Sequence, residues 1–164
     1  KDTNFIFEKE VNQVVRLLDL LGEEDLTSIY GTSEEKSLAF HRQNQDIFNS
    51  YCSPAINRYT GVVYQHLNWD SFNSSEQKFM DNHFYIFSGL FGLVTPLTPI
   101  PNYKLKMNVL SLDYHWRETI TNTLNDEDVV VVARRDDAST GRALQPCQHL
   151  VRNEGMVQPP VPVV

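Results

Sequence analysis

Residues 88 to 107, Ser88-Gly-Leu-Phe-Gly-Leu-Val-Thr-Pro-Leu-Thr-Pro-Ile-Pro-Asn-Tyr-Lys-Leu-Lys-Met107, constrain the fold more than any other stretch, because glycines, prolines and aromatics recur there at spacings that fix a backbone path. Gly89 and Gly92 permit positive φ or the close approach of another group. Pro96, Pro99 and Pro101 hold φ near about −65° and lack the backbone N–H, so no continuous helix can run through the segment. The pattern predicts an apolar run, a proline-stiffened turn, and then a half-buried strand over 103–107. In that strand Tyr103, Leu105 and Met107 alternate with Lys104 and Lys106, which places two ammonium groups on one face.

Ahead of this stretch the chain reads as ordinary helix and strand. Val11, Val14, Val15, Leu18 and Leu21 follow helical spacing, with Gly22 as the expected C-cap. Glu23-Glu24-Asp25 opens a short second helix that Gly31 closes, the acids complementing the helix dipole. Thr32 and Glu35 have capping-box spacing, and the helix they open would carry Leu38, His41, Gln45 and Phe48 on one face. Tyr59-Thr-Gly-Val-Val-Tyr64 is β-branched and aromatic enough to predict a strand paired with 103–107 in one sheet. Asn73 and Glu76 predict a second capping box, followed by a largely buried helix whose stripe is Phe79, Met80, His83, Phe84 and Phe87. Beyond Met107, Asp113 reads as an N-cap, and Trp116, Ile120 and Leu124 form one apolar line, with Trp116 buried against the sheet. Val129–Val132 reads as a strand covered on both faces. Helices alternating with strands predict an α/β or mixed α+β domain, its helices packed on a small mixed sheet.

The run Ser-Gly-Leu-Phe-Gly-Leu-Val-x-Pro-Leu-x-x-Ile-Pro-x-Tyr-Lys-Leu-x-Met resembles the signature of the YaaA family of peroxide-stress proteins. Two flanking elements add to it. Tyr59-Thr-Gly-Val-Val-Tyr64 is similar to the family's F-x-G-x-V-Y element, and His115-Trp116 followed by Ile120-Thr-Asn-Thr-Leu124 is similar to its F-W-x-x-x-I-T-x-x-L helix. The resemblance runs from about residue 5 to about residue 132 and implies an incomplete copy of the YaaA-type fold. Family members begin with a short strand and a Ser-Pro-Ala-Lys turn that precede anything in this sequence, so the chain reads as a fragment.

Character changes at Arg134. Every aromatic residue lies at or before Trp116, whereas the stretch 134–164 holds four of the eight arginines and four of the eight prolines. So few large apolar side chains offset little of the ordering entropy, about 1–2 kcal/mol per residue. Residues 1–133 are therefore read as a partial YaaA-like domain, and 134–164 as a disordered or non-family tail, which a shifted reading frame would explain.

Fourteen Lys and Arg against twenty-one Asp and Glu give a formal charge of −7, so DNA binding would need a local basic patch. Cys52 and Cys147 lack CxxC or CxxH spacing and read as reduced thiols, and no basic-then-apolar leader or membrane-length apolar run is present, which points to the cytoplasm. Nucleotide-loop and hydrolase signatures are missing, and neither cofactor nor metal is expected. Gly89 and Gly92 are three apart, where the hairpin of a helix-hairpin-helix DNA-binding motif usually has its glycines two apart. The resemblance nonetheless implies DNA binding, through a helix-hairpin-helix-like element and a basic cleft, with protection from iron and peroxide damage. On that reading Gly89, Gly92, Lys104 and Lys106 form a phosphate-contacting surface that binds DNA weakly and without sequence preference. Thr95 stands where many members have Arg, Thr98 where they have Asp, and Lys106 where they often have Glu. Other readings remain: a hydrolase or thiol peroxidase using Cys52, an iron site drawn from His41, His66, His83 and His115, or a truncated copy without function. Cys52 is expected not to be catalytic, since no basic partner accompanies it.

Overall fold

The structure, a computed structural model, describes residues 5–125. The expected strand at Val129–Val132, the boundary near 133 and the tail 134–164 lie outside the described residues. Within them the fold is mixed α and β, with six α-helices and two small antiparallel sheets.

The amphipathic pattern of the N-terminal region folds as expected. Helix α1 (Glu8–Asp19) buries Val11, Val14, Val15 and Leu18. Helix α2 (Glu23–Tyr30) ends on Gly31 at φ +64°, the left-handed cap that glycine adopts without steric cost. Gly22 caps the start of α2, not the end of α1, its extended backbone turning the chain between the two. Helix α3 (Glu34–Gln45) begins after Ser33, and the expected box between Thr32 and Glu35 does not form. Its buried face is Ser37, His41 and Asn44, one notch round from the expected Leu38, His41, Gln45 and Phe48. Helix α3 packs on α1 and α2, and Gln45 Nε2 donates to Asp19 Oδ1 at 2.9 Å.

The strands lie elsewhere than predicted. Strand β1 (Cys52–Pro54) pairs antiparallel with β4 (Pro99–Pro101), Ser53 opposite Ile100, and β2 (Ile86–Ser88) forms a hairpin with β3 (Gly92–Val94). Proline at both ends of β4 removes ladder donors, which keeps that sheet to three residues a strand. Residues 59–64 are not a strand. Gly61 is the N-cap of α4 (Val62–Leu67), and Tyr59 and Tyr64 stack across its first turn at 5.4 Å between centroids. Local β-propensity loses here because no strand edge pairs with these residues. The strand expected over 103–107 does not form: residues 102–106 belong to neither helix nor ladder, and Met107 enters a turn. Their alternation survives as a burial pattern, with Leu105 buried and Lys104 and Lys106 exposed.

Helix α5 (Ser74–His83) opens with the predicted capping box: Asn73 accepts from the Ser75 and Glu76 amides, and Glu76 Oε2 accepts from the Asn73 amide. It stops at His83 and is not buried as expected; Phe79 is 61% exposed and Phe87, in β2, 45%. The last helix, α6 (Leu112–Asn125), starts one residue before Asp113, which sits in its first turn. Leu112, Trp116, Ile120 and Leu124 are its buried line, and Trp116 is fully buried, as predicted.

Candidate functional site

Residues 102–106 have no regular secondary structure, yet residues 103 to 106 are tied to other parts of the fold. Tyr103 turns inward: its hydroxyl lies 2.8 Å from Ser88 Oγ and 2.7 Å from the Tyr59 hydroxyl, and Ser88 Oγ accepts from the Phe91 amide at 2.9 Å. Phe91 meets the Tyr103 ring edge-on at 5.1 Å. Burial holds the Tyr59 and Tyr103 phenols well above their ordinary range, and burial together with Tyr59 pushes Tyr64 up to about 12. All three phenols are neutral near pH 7, and those of Tyr59 and Tyr103 act there as hydrogen-bonding groups.

Lys104 is held through its backbone by a side chain sixty positions earlier. Its N–H donates to Asn44 Oδ1 at 3.0 Å, and its carbonyl accepts from Asn44 Nδ2 at 2.8 Å. The amide of Asn44 thus plays the part of a neighbouring strand, satisfying both backbone groups of Lys104 where no ladder does. The second Asn44 Nδ2 proton reaches the Tyr30 hydroxyl at 3.1 Å, and that hydroxyl lies 3.3 Å from His41 Nδ1. Asn44 is fully buried, and Tyr30 and His41 nearly so. Burial lowers the His41 pKa against a weaker opposing pull from Asp19, and it raises that of Tyr30.

Leu105 and Lys106 lie against Gly89. A Cβ at Gly89 would come within 2.6 Å of the Leu105 carbonyl oxygen and 2.8 Å of the Lys106 carbonyl carbon, so only glycine fits. Gly92, at φ +72°, faces the Trp116 ring, which a Cβ there would meet at 2.6 Å. Trp116 Nε1 donates to the Gly89 carbonyl at 2.9 Å and closes the arrangement. The two glycines are thus buried in the β2–β3 hairpin and shape the path of the segment, while the lysine side chains point to solvent. Lys106 Nζ sits beside the C-terminal cap of α2, 3.8 Å from where a Gly31 Cβ would lie.

Of the four residues expected in the site, Gly89 lies against the backbone that carries Lys106, and Gly92 packs on Trp116. Sequence reasoning missed Asn44, Tyr30 and the Ser88–Tyr103–Tyr59 hydroxyl chain. Thr95 and Thr98 bond to each other, Oγ1 to Oγ1 at 2.8 Å, with the Thr95 amide donating to Thr98 Oγ1 at 3.0 Å. Two of the three departures from the family pattern, Thr95 and Thr98, are thus one local pair that ties the proline turn. Asp81 also reaches that turn, its Oδ1 accepting from the Leu97 amide at 2.7 Å, so a run free of acids in sequence has one beside it in space.

The remaining candidates are dispersed. Cys52 is exposed, its thiol 3.8 Å from the Ser50 carbonyl. His66 is exposed, His83 Nδ1 bonds the Phe79 carbonyl, and His115 Nε2 bonds the Glu10 carbonyl. Among the described residues no three His, Cys, Asp or Glu side chains converge as a metal site would require, and no helix is long and apolar enough to cross a membrane.

Fold and site together define a mixed α/β protein built to hold a glycine hairpin against a two-lysine segment. The sequence matches the family described as peroxide stress protein YaaA over residues 1–137, and the chain belongs to that family. Its relatives include a UPF0246 protein of Crocosphaera subtropica, 34% identical over 134 residues, covering 77% of this chain and 54% of the relative. Another, from Rickettsia felis, is 29% identical over 127 residues (75% and 51%), and a third, from Finegoldia magna, is 26% identical over 136 (80% and 54%). The chain spans about half the length of these curated relatives.

Proposed function

We propose that this chain supplies part of a DNA-binding surface in a cytoplasmic peroxide-stress protein, one that limits iron- and peroxide-driven damage by occupying DNA weakly and without sequence preference. The observation that supports it is the exposure of Lys104 and Lys106 on one side of a segment whose backbone is fixed by Asn44 and Gly89. Residues two apart lie at most roughly 6.6 Å apart along a strand-like backbone, close enough for both lysines to engage phosphates of one strand as point charges, without reading bases. Gly89 and Gly92 set the path and the lysines make the contacts. Binding is favoured over catalysis because the buried phenols stay protonated at neutral pH, and no base adjoins Cys52 in the hydrogen bonds described.

Affinity of the full chain for a mixed-sequence duplex, measured against salt, tests this reading. Each phosphate contact contributes about 0.9 to the slope of log affinity on log salt, so Lys104→Ala/Lys106→Ala is expected to lower it by nearly two units at most. An unchanged slope in a double variant that keeps its circular dichroism spectrum would remove these lysines from any DNA contact.

A further inference from the structure

We propose that Tyr30, His41 and Asn44 form a pH-sensitive latch that fixes the backbone of Lys104, and that a proton taken up by His41 releases it. The proposal rests on the preceding reading only for its consequence at DNA; the latch itself is a property of the fold.

The direction of each bond follows from donor and acceptor counts. Lys104 offers one N–H and one C=O to the same Asn44 amide, so Oδ1 must face the N–H and Nδ2 the C=O, and the amide cannot be turned round. One Nδ2 proton goes to the Lys104 carbonyl, and the other goes to the Tyr30 oxygen. Having accepted there, Tyr30 uses its own proton toward His41 Nδ1, the only other partner its hydroxyl has among the hydrogen bonds described. His41 Nδ1 is therefore the bare nitrogen of a neutral imidazole. A proton added at that nitrogen turns the acceptor into a donor. The Tyr30 oxygen then faces two donors while its own proton has no acceptor, in a pocket where Tyr30 is 4% exposed, His41 7% and Asn44 0%. An unpaired buried donor is costly, and the chain relieves it by moving Tyr30 or Asn44, either of which frees the Lys104 backbone.

The charged surroundings set the sign. From α1, Asp19 pulls His41 toward the charged form, while burial pulls harder the other way. From α2 the facing titratable group is Tyr30, which burial keeps protonated. From the lysine segment, Lys106 places its ammonium beside Gly31, one residue from Tyr30. The folded pKa of His41 lies below its ordinary 6.5, so the latch is fully closed above that value and opens as pH falls through the folded pKa. Acidification would ordinarily strengthen DNA binding by adding positive charge; a latch at Lys104 works against that trend.

Hydrogen exchange at the Lys104 amide, expressed as a protection factor so that intrinsic exchange is divided out, reads the latch without DNA. Across the range from about pH 7.5 to about pH 5, protection in the full chain is expected to fall about tenfold or more. His41→Gln, which keeps an acceptor but does not titrate, should hold protection flat over the same range. Tyr30→Phe should start lower and also stay flat. A fall of equal size in His41→Gln, or none in the unaltered chain, overturns the proposal. If protection behaves as expected but the salt slope on a mixed-sequence duplex is indifferent to His41→Gln, the latch stands and the assignment of Lys104 to DNA contact falls.

Discussion

Residues 102–106 rest on one side against Gly89, itself backed by Trp116, and are held on the other by a buried amide, and the two sides use opposite physics. On the first side contact is steric. Gly89 lets two backbones touch, Gly92 lets the Trp116 ring come close against the hairpin, and one indole N–H satisfies the Gly89 carbonyl. On the second side Asn44 satisfies both polar groups of Lys104 and passes a third bond to Tyr30, with little apolar surface involved. Close packing is insensitive to pH and salt, whereas a buried polar network responds to the protonation of any member. The side that carries rigidity and the side that can be switched are therefore different residues acting on the same backbone.

Trp116→Ala should produce the largest loss, about 3–5 kcal/mol in urea unfolding, since it opens a cavity where a fully buried indole stood. The Gly89 carbonyl also loses its partner. A loss below that of Asn44→Ala would invert the comparison, making the polar side the main support. Next is Asn44→Ala, expected to cost about 1–3 kcal/mol, because Lys104 loses both backbone partners but is partly reached by water. Its diagnostic is location: exchange should rise at the Lys104 amide while the β2–β3 hairpin amides keep their protection. Uniform loss across both would show that the two sides are one cooperative unit.

The steric side was legible in sequence and the polar side was not, for a physical reason. Gly89, Gly92 and the Trp116-Ile120-Leu124 line carry their information locally, in φ restrictions and helical periodicity, as do Asn73 and Glu76 at the start of α5. Asn44 acts across sixty positions, and although helical spacing places His41 on the packed face of its helix, nothing near Asn44 in sequence announces that Tyr30 and Lys104 will satisfy its amide. The burial expected of Phe79 and Phe87 failed for a related reason: periodicity shows that a face is apolar, not that something covers it. Residues 59–64 were misread because β-branched and aromatic residues favour a strand only where an edge awaits them, and here Gly61 starts a helix instead.

The smallest expected effect concerns the hydroxyl chain at Tyr103, where the first residue of the element resembling F-x-G-x-V-Y is Tyr59 instead of Phe. The Tyr59 hydroxyl bonds Tyr103, and Tyr103 retains Ser88 if that bond is lost, so Tyr59→Phe leaves no phenol stranded. Its cost at pH 7 should be about 0.5–1.5 kcal/mol, the range of one net hydrogen bond. The sign must change in alkali. Burial raises the Tyr59 pKa above the ordinary 10.0, so the folded state keeps a proton that the unfolded state releases, and the contribution present below that value is lost as pH rises. The phenylalanine variant has no such proton, so the advantage of the unaltered chain should shrink and then reverse above about pH 10. Paired urea titrations near pH 7 and near pH 10.5 decide it. A difference that stays constant with pH would mean that Tyr59 ionises as freely folded as unfolded, and that the hydroxyl chain is open to water.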